Sequence, residues 1–420
     1  MYYNNIYFHN VNLMKKDEYG NYLLSRFKED VLIEIISKTN ITNEAQSSDP
    51  NYFNGEGALG SMAYNFCEPQ YKSKALKPYM AFKDLSLGTE LRFKLVSDEV
   101  KIRLRLMPGQ SPALCEVFFG NFFAGKEYCL TVTDYNVLEY TFKKTAIPKP
   151  LKITSRKKDV GFASDVVRIL LPTRSVLFAG VTGQTEIPQV YEMPHKNVVF
   201  LGSNTLGAND VDRPSLSIAF EVASRLNANC YNLSTNLPPR LTRKLKPLIL
   251  ATGKRSVLIS DLLYDEINDK NCNFQLYSIK YKIKFLSKFK KRAFFIDYIF
   301  NCFNFKNKRR ELKARAKIEK LLRKKNSISP YQEYANCMLF GNKELPAFAV
   351  GKITVDLVNS INENYAKFNL PKKVSTKYVY YSIKTADDEP TNKPKVMGSR
   401  EKRRHIRAVK KALRESKRRK

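Results

Sequence analysis

The sequence predicts an α/β protein in which an N-terminal β-sandwich precedes a parallel sheet flanked by helices. Between residues 89 and 109, TELRFKLVSDEVKIRLRLMPG alternates apolar and charged residues around a turn, which is typical of half-buried antiparallel strands. From residue 197 onward, apolar strands alternate with helices, as in a doubly wound sheet. The third observation is charge, because the formal net charge of +33 is concentrated in two segments.

The β-sandwich domain is expected over residues 76–160, after an N-terminal segment, 1–75, whose clearest feature is a helical pattern at 22–38. Strand patterns and glycine turns continue in EVFFGNFFAGKEYCLTVTDYNVLEYTF. A basic linker with two prolines, IPKPLKITSRKKD, then covers 147–159.

The α/β domain is expected in two parts, 161–277 and 326–383. In the first part, DVVRILLP, SVLFAGVTG, NVVFL, NCYNLS and SVLISDLL are predicted strands, and 213–227 and 241–253 are predicted helices. In the second part, 344–368 is predicted to be a closing helix. Its apolar face holds Val350, Ile353, Leu357, Val358 and Ile361.

Residues 278–325 interrupt this alternation and are predicted to form a basic, aromatic helical insertion. They hold 18 Lys and Arg against 3 Asp and Glu. Within them, 294–305 is almost entirely apolar, which suits an interfacial amphipathic helix on an anionic membrane. The alternative is a helix packed on the sheet with its charges in solvent. The flanking cations are Lys288, Lys290, Lys291, Arg292, Lys306, Lys308, Arg309 and Arg310.

The last segment, 384–420, is predicted to be a basic tail. Residues 400–420 hold 12 Lys and Arg against 2 Asp and Glu. Together with the insertion, this tail predicts a polyanionic partner: an anionic membrane surface or an acidic glycan, with other glycan-assembly proteins beside it. Nucleic acid is a weaker expectation, because the tail has no aromatic residues to stack on bases.

The seven cysteines show no CxxC spacing, so we expect reduced, buried thiols rather than disulfides or a metal site. No motif indicates a cofactor or a metal. The N-terminus lacks a secretory signal pattern, and no uncharged apolar stretch of about 18 residues is present. We therefore expect a cytoplasmic protein, bound peripherally to the inner membrane face.

The stretch NVVFLGSNTLGAND, residues 197–210, is the predicted functional site. An apolar strand runs into Gly202, Ser203 and Asn204, and a second glycine, Gly207, follows. Ligands gather at the carboxyl ends of parallel strands, and a nucleophilic serine is often presented there. Ser203 is the candidate catalytic residue. Gly202, Asn204 and Gly207 are candidate pocket or oxyanion residues.

The order of blocks in FLGSNTLGANDVDRPSLSIAFEVASRLNANCYNLS, residues 200–234, resembles the SGNH/GDSL hydrolase superfamily. The resemblance is to the two-domain form found among carbohydrate esterases and acyltransferases. It implies a jelly-roll-like β-domain followed by a flavodoxin-like α/β domain. Aligned on the strand end, Asn204 replaces the family's nucleophile; aligned on Gly207, Ser203 occupies its place.

The same resemblance implies an Asp-x-x-His-Pro block near the closing helix. Its counterpart, GNKELPAFAVGK at 341–352, has Asn342 in the aspartate position and Leu345 in the histidine position. A serine is a weak nucleophile unless a base lies within hydrogen-bond reach. His195 is a strand length away, roughly 20–25 Å from the predicted site. Asp261, near the end of a predicted strand, is expected to cap a helix or to lie in solvent.

Three functional hypotheses follow. The first is an SGNH-like protein with impaired or lost catalysis and a binding or scaffolding role in cell-envelope or capsular glycan production at the membrane surface. The second is an active serine esterase or O-acyltransferase on a carbohydrate, using Ser203. The third is a non-catalytic protein that binds nucleic acid or another polyanion.

Overall fold

The computed structural model describes most of the chain up to residue 296 and shorter pieces beyond it. The described ranges are 1–34, 73–80, 82, 84–149, 161–202, 213–234, 243–253, 256–261, 267–268, 272–296, 303–304, 306, 308–322, 326–328, 355 and 358–362. One structural unit spans Met1–Val379. The second, Tyr380–Lys420, holds the predicted basic tail and lies outside the described residues.

Thirteen described strands in the first half of the chain form two antiparallel sheets. They are β1 Tyr2–Tyr3, β2 Ile6–His9, β3 Leu13–Lys16, β4 Tyr22–Ser25, β5 Glu90–Leu95, β6 Glu99–Leu106, β7 Ala113–Phe119, β8 Phe122–Phe123, β9 Cys129–Val132, β10 Leu138–Lys143, β11 Val167–Leu170, β12 Val176–Thr182 and β13 Thr185–Glu186. The first sheet has the order β1-β2-β5-β11-β7-β8, with β13 beside β5 and β9 beside β7. The second has the order β10-β6-β12-β4-β3.

The two antiparallel sheets share one hydrophobic cluster. Phe93 of β5 and Val117 of β7 pack there with Ile102 and Leu104 of β6 and Phe178 of β12. The alternating pattern at 89–109 is confirmed in β6, where every second side chain is buried. β5 and β6 nevertheless lie in different sheets, so the turn between them crosses from one sheet to the other.

Strands from outside 76–160 also belong to these sheets. β1–β4 come from the predicted N-terminal segment, and β11–β13 from the start of the predicted α/β domain. The helical pattern at 22–38 was wrong at its beginning, because 22–25 form β4 and the helix begins at residue 29. Tyr22–Ser25 pairs with β3 on one side and β12 on the other, and this pairing overrides the local pattern.

A third sheet is parallel throughout and follows in the chain. Its strands are β14 Lys196–Leu201, β15 Ala228–Asn232, β16 Val257–Asp261, β18 Ala293–Ile296 and β20 Asn326–Ile328, and a separate parallel pair is formed by β17 Ile267–Asn268 and β19 Phe303–Asn304. The order is β15-β14-β16-β18-β20. If the five strands are numbered 1 to 5 by their order in the chain, their order across the sheet is 2-1-3-4-5, as in flavodoxin-like sheets. The prediction of an α/β chain with antiparallel and parallel sheets is therefore confirmed.

Helices cover both faces of the parallel sheet. The longest described ones are α1 Ile218–Arg225, α2 Lys246–Ala251, α3 Cys272–Leu286 and α4 Lys308–Leu322, and short 3₁₀ helices include Pro214–Leu216 and Ser287–Arg292. On one face, Phe200 and Ile259 pack with α1 and with Val358 and Ile361 of the predicted closing helix. On the other face, Val199 and Phe295 pack with residues of α2, α3, α4 and the antiparallel sheets.

The predicted membrane-interface helix at 294–305 was wrong, although helices lie on either side of it within 278–325. Ala293–Ile296, which overlaps its start, forms β18, a fully buried strand paired with β16 and β20. α3 and α4, on either side of β18 in the chain, pack against each other and against the sheet core. Periodicity cannot separate a short continuous apolar run in a buried strand from a buried helix. No helix in the described part of the chain is long and apolar enough to cross a membrane.

Candidate functional site

The predicted site lies at the point where the strand order of the parallel sheet reverses. β14 is followed in the chain by β15 on one side of it, and then by β16 on the other side. At such a point of an open parallel sheet, the crevice outside the carboxyl ends of the strands, here β14 and β16, is the common ligand site. Gly202 directly follows β14, and Asp261 ends β16.

Gly202 and Asp261 are in direct contact across this crevice. Leu201 pairs with Ser260, so the next residue of each strand, 202 and 261, also lie side by side. A Cβ atom on residue 202 would overlap Oδ1 of Asp261, and the backbone of Gly202 has a φ of +155°. The Asp261 side chain is fully buried. The expectation that Asp261 is solvated is therefore wrong: its carboxylate uses the space left by the missing side chain of Gly202.

The end of β15 adds polar groups on the other side of β14. The backbone N–H of Leu233 donates to the carbonyl of Phe200, at 2.9 Å, so β15 continues beside β14 to its end. Asn232 Oδ1 accepts from the N–H of Ser234 at 3.1 Å. Ser234 Oγ is buried and has no hydrogen-bond partner among the described residues. An unpaired buried hydroxyl is costly, so it is an available donor for a ligand at this edge.

Residues 213–217, which lead into α1, are fixed by hydrogen bonds. Arg213 Nε donates to Oε1 of Glu116 at 2.7 Å, and the N–H of Ser215 donates to Oε2 at 2.7 Å. Glu116 belongs to β7 and is fully buried. Ser217 then caps α1 by accepting from the N–H of Phe220 at 3.1 Å. These contacts fix where the chain returns to the sheet after residue 202.

The described histidines do not reach the carboxyl edge. His195 is exposed and precedes β14, so it lies at the amino end of that strand, about 20 Å from Leu201 at the usual rise per residue. His9 is fully buried, and its Nε2 donates to the carbonyl of Cys230 at 2.8 Å. Its Nδ1 is 3.5 Å from Tyr7 Oη. Both nitrogens of His9 thus have partners inside the fold.

Of the predicted site residues, Gly202 is the one that the structure places. Ser203, Asn204, Gly207, Asn342 and Leu345 lie outside the described residues, as does His405. Among the predicted surface cations, Lys288, Lys306, Arg309 and Arg310 are exposed and Arg292 is half-buried. The side chains of Lys290, Lys291 and Lys308 fall outside the described part.

Comparison with solved structures gives the fold. The salicylyl-acyltransferase SsfX3 from a tetracycline biosynthetic pathway is similar over 88% of this chain and 97% of its own, with a TM-score of 0.52 and 12% identity. The fold is that of the SGNH hydrolase superfamily.

Two further structures are similar over a smaller share of the chain. A carbohydrate esterase family 2 enzyme with a carbohydrate-binding domain, from Corynascus thermopiles (Myceliophthora fergusii), has a TM-score of 0.44 at 12% identity, covering 68% of this chain and 97% of its own. A protein described as a GDSL-like lipase, from Bacteroides ovatus, has a TM-score of 0.43 at 14% identity, covering 67% and 86%. No family model and no curated protein matches the sequence.

A buried charge cluster joins the first antiparallel sheet to the parallel sheet, and it was not predicted from the sequence. Glu90 binds Arg92 through Oε2 at 2.8 Å and Arg168 through Oε1 at 2.9 Å. Arg92 also donates to Asn229 Oδ1 of β15 at 2.7 Å, which links the cluster to the parallel sheet. All four side chains are buried. The available signal was the E-L-R order at 90–92, which places Glu90 and Arg92 on one strand face.

The charge states in this cluster follow from its surroundings. Burial alone would raise the pKa of Glu90, but the positive charges of Arg168 and Arg92 outweigh it and hold that pKa well below its usual range. Burial, followed by the charge of Arg92, lowers the pKa of His9 well below its ordinary value. Burial raises the pKa of the nearby Cys230 thiol. The cluster therefore holds ionised Glu90 with neutral His9 and a neutral thiol.

The described cysteines, Cys115, Cys129, Cys230 and Cys272, are free thiols, and all but Cys129 are buried. No group of three or more His, Cys, Asp or Glu among the described residues could hold a metal ion.

Proposed function

We propose that the chain is an SGNH-like protein that binds an acylated carbohydrate at the carboxyl edge of its parallel sheet and hydrolyses esters poorly or not at all. Its role would be binding or scaffolding in cell-envelope or capsular glycan production. The acyltransferase of similar fold supports an acyl-ester ancestry. The carbohydrate and its cellular context follow from the resemblance in the order of sequence blocks.

One observation carries the proposal of impaired catalysis: neither described histidine lies at the carboxyl end of β14, the strand that leads to Ser203. His195 lies at the amino end of β14. His9 is the last residue of β2, and its ring is hydrogen-bonded to the Cys230 carbonyl of β15. The sequence has Leu345 in the position where the family's histidine is expected, and leucine cannot accept a proton. The strand order that favours a ligand site at the carboxyl ends of β14 and β16 is nevertheless present, and the buried Ser234 hydroxyl follows β15 on the other side of β14.

We also propose the finer architecture that the resemblance implies. The two antiparallel sheets would form a jelly-roll-like β-domain, and the parallel sheet a flavodoxin-like domain that carries the site. The strand order β15-β14-β16-β18-β20 supports the second part of this assignment.

A partner with negative charge remains part of the proposal, either an acidic glycan or the inner membrane face. The support is a set of exposed basic residues: Lys288, Lys306, Arg309 and Arg310. The expected interfacial helix between them is replaced by the buried strand β18 at its start. Without that helix, attachment to a membrane would rest on electrostatic attraction alone.

A second candidate function is an active serine esterase or O-acyltransferase, and Asp261 is the observation that favours it. Its carboxylate is buried directly against Gly202, the residue before Ser203. A carboxylate can act as a general base, so Asp261 could take the proton of a neighbouring serine hydroxyl in place of histidine.

An ester-hydrolysis assay separates the two functions. Purified full-length protein is tested with a chromogenic acetyl ester and with acetylated xylo-oligosaccharides, beside Ser203→Ala and Asp261→Asn. The binding proposal predicts that all three proteins hydrolyse at the same background rate. Turnover that disappears in both Ser203→Ala and Asp261→Asn would establish the catalytic function instead.

A further inference from the structure

A basic groove lies beside α3. It has a volume of about 330 Å³. The described residues that line it are Arg243, which precedes α2, and Lys280, Lys284, Lys288, Tyr277, Tyr281 and Phe285. None of these described lining residues is acidic. Its size is that of a site for a ligand of a few rings.

The lysines of the groove follow a regular spacing. Lys280, Lys284 and Lys288 are four residues apart; the side chains of Lys280 and Lys284 start about 6 Å apart on one face of α3, and Lys288 follows in the 3₁₀ helix. All three are exposed, and none forms an ion pair within the described part of the chain. The charges are therefore available to a ligand with repeated negative groups.

The groove also offers hydroxyl donors and a ring face. Tyr281 Oη is buried and has no hydrogen-bond partner among the described residues. The guanidinium of Arg243 lies 5.1 Å from the centroid of the Tyr281 ring, so that ring face is already covered by a cation. Tyr277 is 56% exposed, and its ring centroid lies 6.3 Å from that of Tyr281.

We propose that this groove binds a segment of an anionic carbohydrate chain. The lysines would bind its acidic groups, Tyr281 Oη and the ammonium groups would donate to its hydroxyls, and one sugar ring would lie on Tyr277. Single-stranded nucleic acid fits less well, since such sites stack successive bases on several open rings, and here one ring is covered. A flat bilayer fits less well because the cations line a concave surface.

This inference rests on the proposed function for the carbohydrate nature of the ligand, but its site is separate from the β14–β16 crevice. Binding at the groove does not require Ser203, so Ser203→Ala should bind as tightly as the unchanged protein. If the proposed function fails, the hydrolysis assay shows turnover that depends on Ser203. If the groove inference fails, the acidic oligosaccharides do not bind, or they bind without the groove lysines.

The test measures binding of fluorescently labelled polygalacturonate and heparin oligosaccharides to the full-length protein at physiological salt. The triple variant Lys280→Gln/Lys284→Gln/Lys288→Gln should weaken binding about tenfold or more. Each exposed charge pair contributes modestly, but this variant removes three of them together. The matched control is Lys313→Gln/Lys317→Gln/Lys320→Gln, which removes three exposed lysines from α4. It should change binding less than about twofold. Tyr281→Phe should weaken binding through the loss of its hydroxyl alone.

Hydrogen–deuterium exchange with the bound oligosaccharide locates the site independently of the basic tail. Protection of a peptide covering 277–288, lost in the groove variant, supports the inference. Equal loss of binding in the groove and α4 variants would overturn it, as would no binding of either acidic oligosaccharide. Groove-dependent binding of a thymidine oligomer or phosphatidylglycerol vesicles that exceeds binding of both glycans would assign the groove to nucleic acid or membrane, and would also overturn it.

Discussion

The carboxylate of Asp261 occupies the space that a side chain on Gly202 would need. The two residues follow the paired residues Leu201 and Ser260 at the carboxyl ends of β14 and β16. This contact lies at the carboxyl ends of both strands, where ligands of open parallel sheets commonly bind. It also makes the glycine a packing requirement, independent of any role in catalysis.

Gly202→Ala should destabilise the protein by about 3 kcal/mol, because the new Cβ overlaps Asp261 in a packed interior. The matched control is Gly253→Ala, where φ is also positive, at +99°, but no atom lies within 4 Å of the added Cβ. That change should cost about 1 kcal/mol from the backbone alone. Urea unfolding measures both.

Adding Asp261→Ala should rescue part of the loss in Gly202→Ala. In a double-mutant cycle, neighbouring residues that compete for one space show a coupling of about 1 kcal/mol or more. Strictly additive effects would contradict the contact.

Glu116→Gln should loosen the segment that returns from Ser203 to α1. The buried carboxylate accepts from Arg213 and from Ser215, so neutralising it weakens charge-assisted hydrogen bonds. We expect a loss of about 2–4 kcal/mol in the free energy of unfolding. Hydrogen exchange should rise for peptides covering 203–217.

The exposed pair Lys101–Glu139, with an N–O distance of 2.8 Å, provides the control for this change. Glu139→Gln should leave both stability and exchange nearly unchanged, because exposed ion pairs contribute little. If Glu139→Gln had the same effect as Glu116→Gln, the anchoring role of Glu116 would be refuted.

The Glu90 cluster predicts acid sensitivity. Because its pKa is held below the ordinary value of Glu, the stabilisation is present above about pH 4.3 and is lost as the pH falls below it. Glu90→Gln should cost about 3–5 kcal/mol at neutral pH, since it leaves two buried arginines without their anion. Thermal unfolding across pH 3–7 checks this, and an unchanged acid limb in Glu90→Gln would contradict it.

His9 predicts a separate change at higher pH. Its folded pKa is lowered, so the unfolded chain takes up this proton first, and stability falls as the pH drops through about 6.5. His9→Gln keeps a donor for the Cys230 carbonyl but cannot be protonated. The variant should have a flatter stability profile between about pH 7 and pH 5 than the unchanged protein. Identical profiles would show that His9 is not the titrating group.

Much of the α/β half could be predicted from sequence because its strands are short apolar runs bounded by turn residues. Val198 to Leu201 and Val257 to Ile259 are buried on both faces of the sheet, and such runs are recognisable without structural data. The block order from Gly202 through Arg213 and Pro214 to Asn232 predicted the superfamily, and the fold confirms it.

Other features depend on contacts between distant segments, which local patterns do not contain. The aromatic run at 294–305 resembles an amphipathic helix, yet Phe294 and Phe295 are buried in β18 because β16 and β20 lie on either side. Glu90 and Arg92 resemble the polar face of a half-exposed strand. Their face is covered by β15, and Arg92 bonds to Asn229, 137 residues away in the chain.

We propose that the carboxyl edge of β14 and β16 binds a ligand while Ser203 lacks an activating base. The most direct measurement is reaction of the full-length protein with a fluorophosphonate, which labels only activated serines, followed by intact mass and peptide mapping. We predict no adduct at Ser203 under conditions that fully label a control serine esterase. A stoichiometric adduct at Ser203, absent after heat denaturation, would contradict the claim.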